Sequence, residues 1–219
     1  MKINNRLRLV GDYVDKGSVP LDIGCDHAKL SIYLLKEKNF PFVYASDNKI
    51  GPLNQARENV NYYNLADKIE LIKADGLNSL NDKIDTITIT GMGGLTINKM
   101  FLENKNKLTD IKTIILSPNN FIKEVRETIN KLGYHLKDEE LVEESDKLYH
   151  ILVFSKGNKV YSDKELYLGP ILMTKNKKII KKYYRNELSN INNLLLNNKI
   201  SIEKKEKLIK IKKYLEDVC

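Results

Sequence analysis

The 219-residue chain contains no apolar run near the roughly 18 residues a membrane helix needs, which argues against a bilayer span. Its opening, MKINNRLRLVGDY, has no apolar core of about 7 to 15 residues such as export signals carry, so a cytoplasmic location is the expectation. Only two cysteines occur, Cys25 and Cys219, too few for a disulfide framework or a four-cysteine zinc site, so free thiols are expected. The G-x-G-x-x-G loop that admits a dinucleotide pyrophosphate is missing, which disfavours NAD. Cys25, Asp26 and His27 are consecutive, and a tight turn cannot aim three adjacent side chains at one metal, so no metal site is expected. No Ser-His-Asp or Cys-His nucleophile arrangement is supported locally. What remains is a length that fits one ordinary domain and an appendage.

The charge is unevenly distributed. Residues 1–155 hold 21 Lys and Arg against 22 Asp and Glu, whereas residues 156–219 hold 16 against 7. The overall excess of +8 therefore belongs to the tail, and an acidic partner met by that segment, nucleic acid first among them, is the functional reading. An A+T-rich coding sequence would also raise the lysine content without any binding role.

From residue 19 to about 155, short β-branched or apolar runs alternate with helical segments. The strand candidates are VPLDIG (19–24), FVYASD (42–47), IELIKA (69–74), DTITITG (85–91) and TIILS (113–117). The stretches between them are long enough for crossover helices, the pattern of parallel βαβ units with helices on both faces of an open sheet. Two further strands, 134–144 and 147–156, follow with only a polar turn between them, so an antiparallel hairpin closes the sheet. This is an α/β, Rossmann-like plan of the class I methyltransferase type. Leu7, Val10 and Val14 predict a short N-terminal helix over one sheet edge, with Arg6 and Arg8 off its apolar line. Beyond the hairpin, Ile180, Tyr184, Leu188, Ile191 and Leu195, then Leu208, Ile211, Leu215 and Val218, recur at heptad-like spacing. They predict a basic antiparallel helical hairpin turning at Asn197-Asn198-Lys199, with Ser201 as the second helix's N-cap. The expected domains are residues 1–160 and 161–219.

Chemistry is expected at the strand tips, because ligands of open α/β sheets bind outside the carboxyl ends of the strands. Asp22 and Gly24 end the first strand, and Asp26 follows. A carboxylate beside an ammonium and one close backbone approach suit S-adenosylmethionine, which has no phosphate. Asp47 closes the second strand 23 residues after Gly24, where an acid can accept from both ribose hydroxyls. At the third strand, Asp75 could accept from an adenine amine, with Gly76 letting the ring lie close. Each acid alone reads as a polar strand end, but three on one crevice read as a ligand site. The fourth strand runs into Gly91-Met92-Gly93-Gly94, where amino-group methyltransferases carry an Asn/Asp-Pro-Pro-aromatic motif that this chain lacks. These glycines admit substrate and donor, or simply start a helix. Asn119 and Asn120 after the fifth strand either cap a helix or bind a base. His27 is a candidate acid, base or structural donor, while His135 and His150 read as structural.

The string LDIGCDHAKLSIYL, with GMGG, SPNN and LGPIL ahead of a basic helical hairpin, resembles the bacterial tRNA (adenine(22)-N(1))-methyltransferase family, TrmK, over essentially the whole chain. Cys25, Ser31 and Ser117 depart from the family pattern, where threonine, proline and glutamine are usual. The resemblance implies methyl transfer from S-adenosylmethionine to N1 of an adenine in the D-arm region of tRNA. It implies a donor site at Asp22, Gly24, Asp47, Asp75, Gly76, Gly91, Met92 and Gly93, with Asp26 and His27 as catalytic candidates. Asn119 with Lys178, Lys181 and Arg185 would contact the tRNA, joined by the lysines from Lys204 to Lys213. A monomer is expected. Two competing readings are a methyltransferase for small molecules or proteins, which would not need the basic hairpin, and a non-catalytic RNA-binding protein with a relic pocket.

Overall fold

The computed structural model describes residues 3–196 and 200–219, and the turn expected at Asn197-Asn198-Lys199 lies outside them. The chain divides into two compact units, Met1–Lys159 and Val160–Cys219. The first is built on β1 (Pro20–Ile23), β2 (Val43–Asp47), β3 (Ile69–Lys73), β4 (Thr86–Thr90), β5 (Thr113–Ser117), β6 (Tyr134–Glu144) and β7 (Lys147–Lys156). These form one seven-stranded sheet in the order β3-β2-β1-β4-β5-β7-β6. The first five strands are parallel, and β7 slots antiparallel between β5 and β6. The class I methyltransferase architecture is therefore present in full.

The central strands β1 and β5 are buried along their whole length, which is why they read as continuous β-branched and apolar runs. At the edge, β3 shows buried and exposed positions instead. The hairpin turns on Ser145 and Asp146, both at positive φ (49° and 61°), the two-residue geometry whose twist matches the flanking strands.

Four helices follow the first five strands: α2 (Lys29–Lys36), α3 (Ile50–Tyr62), α4 (Gly94–Glu103) and α5 (Ile122–Lys131). The N-terminal helix α1 (Asn5–Asp12) begins at Asn4, whose side chain accepts from the Leu7 amide at 2.8 Å. It lies over the β6 edge of the sheet, as the sequence predicts, with the Asn5 amide donating to Glu144 Oε2 of β6 at 2.8 Å. From there it reaches inward, since Ile3, Val10 and Val14 share a core with Ile115, Ile151 and Val153 of β5 and β7, and its apolar line is buried as spaced. Gly11 makes this possible, because a Cβ there would stand 2.7 Å from the Tyr33 ring of α2.

The second unit comprises α6 (Asp163–Leu168), α7 (Lys178–Leu195) and α8 (Ile202–Glu216). Ile180, Tyr184 and Ile191 of α7, with Leu208 and Leu215 of α8, are its buried residues at heptad-like spacing. Ser201 caps α8 as the sequence predicts. Cys219 feels the charge of Arg185, so the end of α8 returns beside the early turns of α7 and the pair is antiparallel. The sequence pattern did not show α6. It starts at a capping box in which Ser162 and Glu165 satisfy each other's backbone amides, and the Tyr184 hydroxyl donates to its Leu168 carbonyl at 2.9 Å. Among the described residues no helix is long and apolar enough to cross a membrane.

Candidate functional site

The strand order reverses at β1, with β2 on one side and β4 on the other, and a cavity of about 460 Å³ opens at the tips of these three strands. Asp22, Gly24, Asp26 and His27 line it from the first loop, Asp47 from β2, and Gly91 and Met92 from beyond β4. That volume falls within the range of small-molecule sites.

The first loop is bent by three residues at positive φ: Gly24 (73°), Asp26 (48°) and Ala28 (54°). The last two lack the freedom of glycine, and such backbone costs about 1–3 kcal/mol per residue unless its surroundings enforce it. Here the Gly24 and Cys25 amides both donate to the Ser46 carbonyl, at 2.8 and 3.0 Å, and the Ala28 amide to the Cys25 carbonyl at 2.7 Å. The bend turns the exposed Asp26 and half-exposed His27 into the cavity, with Asp26 Oδ2 and His27 Nε2 3.4 Å apart. Gly24 carries a second burden, since a Cβ on it would come within 2.6 Å of the Met92 methyl.

Asp22 is the most sheltered acid of the site. Its carboxylate accepts from Ser31 Oγ at 3.1 Å and Thr88 Oγ1 at 3.3 Å, yet burial, aided by the charge of Asp47, raises its pKa to about 6. A cation placed beside it would reverse that shift. Asp47 is less enclosed, and its Oδ1 accepts from the Lys49 amide at 2.9 Å. Cys25 is buried and its thiol pKa is pushed up, mainly by burial and then by Asp22 and Asp47, so it is no nucleophile.

The loops after β4 and β5 are stapled together. The Gly91 amide donates to the Ser117 carbonyl at 3.1 Å, and the Asn119 amide to the Met92 carbonyl at 2.9 Å. Asn119 Nδ2 also donates to the Gly91 carbonyl at 2.6 Å, and Asn120 Oδ1 accepts from the Gly94 amide at 2.9 Å. Asn120 thus caps α4, the helix of the neighbouring unit of the sheet, and Asn119 fixes the glycine loop while remaining exposed. Ser117 is buried with its hydroxyl unpartnered, in no position to touch a base.

Three expected donor residues are not among those lining the cavity. Asp75 is exposed, 3.4 Å from Asn48 Nδ2, and Asn48 itself lines the space. Gly76 is buried beneath Met100, which a Cβ would meet at 2.8 Å, so its openness admits a side chain of the fold. Gly93 is the N-cap residue of α4. Lys178, Lys181 and Arg185 lie exposed on α7 in the second unit. Conversely, the sequence reading passed over Asn4 and Arg6, which line the cavity from the first turn of α1, along with Lys49 and Thr90. The available signal was an arginine beside the apolar line of a helix that starts within reach of the first strand. Among the described residues no three His, Cys, Asp or Glu side chains gather as a metal site requires.

Comparison with known proteins points one way. A family model described as tRNA (adenine(22)-N(1))-methyltransferase matches residues 20–218. A Bacillus subtilis (strain 168) tRNA (adenine(22)-N(1))-methyltransferase is 32% identical over 195 residues, 86% of this chain and 82% of the relative. The crystal structure of the B. subtilis M1A22 tRNA methyltransferase TrmK superposes with a TM-score of 0.90 at 29% identity, covering 99% and 98% of the two chains. M. capricolum TrmK, solved with S-adenosyl-homocysteine, superposes at 0.86 and 27% identity over all of both chains.

Proposed function

The chain belongs to the tRNA (adenine(22)-N(1))-methyltransferase family, and from that premise we propose how its own residues perform the reaction. It is an S-adenosylmethionine-dependent methyltransferase acting on N1 of adenine 22 in tRNA. The residues present fit the donor. Asp22 is a carboxylate held at a cost that a neighbouring cation relieves, Gly24 is a backbone position that a Cβ would fill, and Asp47 stands at the adjacent strand tip. When bound, S-adenosylmethionine supplies a methyl group on a positively charged sulfur.

On this reading Asp22 pairs with the donor ammonium and Asp47 accepts from the ribose hydroxyls. Asp75, reached through Asn48, is the candidate for the adenine amine, from outside the cavity lining. Adenine N1 carries an in-plane lone pair at neutral pH, so no general base has to create the nucleophile. The protein's task is to hold N1 about 3 to 3.5 Å from the methyl and to keep water away. The stapled β4 and β5 loops supply that rigidity, and Asn119 keeps one carbonyl oxygen free to meet the base. As methyl moves, positive charge appears on the adenine, and the exposed carboxylate of Asp26 is placed to stabilise it, with His27 orienting Asp26. A paired N1 is unreachable, so the target base must leave its helix. The exposed lysines of α7 and α8 are assigned to tRNA phosphates, which give affinity without reading sequence. We take the protein to act as a monomer.

The carrying observation is the sheltered Asp22 beside Gly24 and Asp47 at the reversal of the sheet. The test is incubation with labelled S-adenosylmethionine and unmodified tRNA, followed by mapping of the product. Label at N1 of adenine 22 is expected, and label elsewhere or none rejects the assignment.

A further inference from the structure

Among the described residues, Phe121 is the one aromatic side chain at positive φ (54°). The other non-glycine residues in that region are Asp, Asn, Ser and Ala, whereas a bulky residue there is an outlier. The position is also the N-cap of α5, where Ser, Thr, Asp or Asn would supply an acceptor and Phe121 supplies none. Burial does not explain the ring either, since the residue is 46% exposed. Phe121 is thus the wrong residue for its backbone, for its helix and for the core. Strain kept against all three marks a functional position.

Its place says which function. The Asn120 carbonyl and the Phe121 Cβ pass directly over Gly94, the latter 2.9 Å from where a Cβ would stand, and Gly91 and Met92 just before it line the donor cavity. The segment is fixed on both sides. Asn119 and Asn120 bond the loop after β4, and the Phe121 carbonyl accepts from the Val125 amide at 3.0 Å to start α5. On the reading above, Asp22 and Asp47 hold the donor from β1 and β2, which leaves the β4 and β5 loops as the side from which the base arrives. No Phe, Tyr or Trp is among the residues lining the cavity, and the motif that would bring an aromatic after β4 is missing. Tyr62, the other exposed aromatic among the described residues, ends α3, which leads away from the strand tips. A base that leaves its helix needs a new flat surface, and Phe121 is the one at this rim.

We propose that the Phe121 ring stacks on the adenine that receives the methyl group and holds its N1 in line with the donor. This rests on the function proposed above. As the N1 lone pair bonds to the methyl carbon, the carbon–sulfur electron pair returns to sulfur and the positive charge passes to the adenine. A ring face attracts a cation more than a neutral base, so the stack strengthens in the transition state and its loss falls on rate rather than on tRNA affinity.

The test is single-turnover methylation of unmodified tRNA at saturating tRNA and donor, with calorimetry of the donor and thermal melts alongside. Phe121→Gly and Phe121→Leu should each slow transfer about 10- to 100-fold, with tRNA and S-adenosylmethionine affinities changed less than about threefold. The glycine variant should do so while melting no lower than the wild type, which separates a lost stack from a damaged fold. Phe121→Tyr and Phe121→Trp keep a ring and should stay within about threefold of the wild-type rate. A leucine variant as fast as the tyrosine variant would show that apolar contact suffices and would overturn the proposal. So would a glycine variant at the wild-type rate, a donor affinity that falls in step with the rate, or aromatic variants as slow as leucine. If the wild-type protein methylates no tRNA, it is the proposed function that falls, and the stack with it.

Discussion

In the sheet unit, 23 Lys and Arg nearly balance 22 Asp and Glu, and several of the acids are sheltered or held in strained turns; in the helical unit, 14 stand against 7, and the lysines face solvent. The first arrangement makes each charge specific, because burial removes competing water and multiplies the effect of a partner. The second makes charge collective, since exposed cations are screened and interchangeable. Under the function proposed above, methyl transfer divides along that line, with single groups assigned to the donor and a field of exposed cations assigned to the RNA.

The comparison is broken most severely at Arg126 and Glu139, whose Nε and Oε1 lie 2.6 Å apart with both side chains buried. Arg126→Met leaves Glu139 charged in the interior and should cost about 3–5 kcal/mol of stability, read from urea melts. A loss under 1 kcal/mol would mean burial confers little specificity here. Next comes Asp47→Ala, expected to weaken S-adenosylmethionine about 10- to 100-fold by calorimetry while tRNA affinity is unchanged; equal donor affinity would remove Asp47 from the site.

The pH profile sharpens the picture. Asp22 binds its proton more tightly in the folded chain (about 6) than its ordinary value of 3.8. Through this group alone, the ligand-free fold loses stability as pH rises from about 4 to about 6. A proton on Asp22 also competes with the donor ammonium, so affinity should fall up to tenfold per unit below pH 6. Both trends are to be measured as differences from Asp22→Asn, because His150, held near 3 by burial and by Arg126, acts oppositely on stability and favours unfolding as pH falls below 6.5. If the Asn variant keeps the same pH dependence of binding, Asp22 is not the titrating group.

Smaller effects follow. Phe121 begins α5 at φ 54° with its side chain 46% exposed, so Phe121→Gly should raise stability by about 1 kcal/mol through relieved backbone strain, detectable as a higher Tm. Smallest per residue are the exposed Lys178, Lys181, Lys204 and Lys207. Changing one to Gln should weaken tRNA binding only about two- to threefold, whereas changing all four should flatten the slope of log affinity against log salt by about 3. Donor binding should be untouched in each case, and an unchanged salt slope would reduce these helices to a solvated surface.

The strands β1, β2, β4 and β5 were legible because a strand buried on both faces has to be written in β-branched and apolar residues, and the β6–β7 hairpin because its Ser-Asp turn leaves no room for a helix. The helix α6 was not, since six residues make too little periodicity; its only local sign is the Ser162–Glu165 box. The acids of the first two strand tips were readable, for strand ends point where the sheet points. Arg6 and Asn4 were not, because they reach the cavity only through the way α1 lies on the sheet, which depends on Gly11 meeting Tyr33. Gly76 misled for a related reason: a glycine announces that something comes close but not what, and here Met100 comes close. Asn120 was readable as a cap, yet the helix it caps is α4 and not the one it precedes.

The four hydrogen bonds between the β4 and β5 loops have a consequence for anyone redesigning this enzyme. A glycine loop transplanted from another transferase would arrive without the asparagines that shape it, and a new asparagine loop would find no carbonyls at the right places. The two segments fold as a single cassette, so on the proposed reading an exchange aimed at a different nucleobase swaps residues 91–94 and 117–120 together.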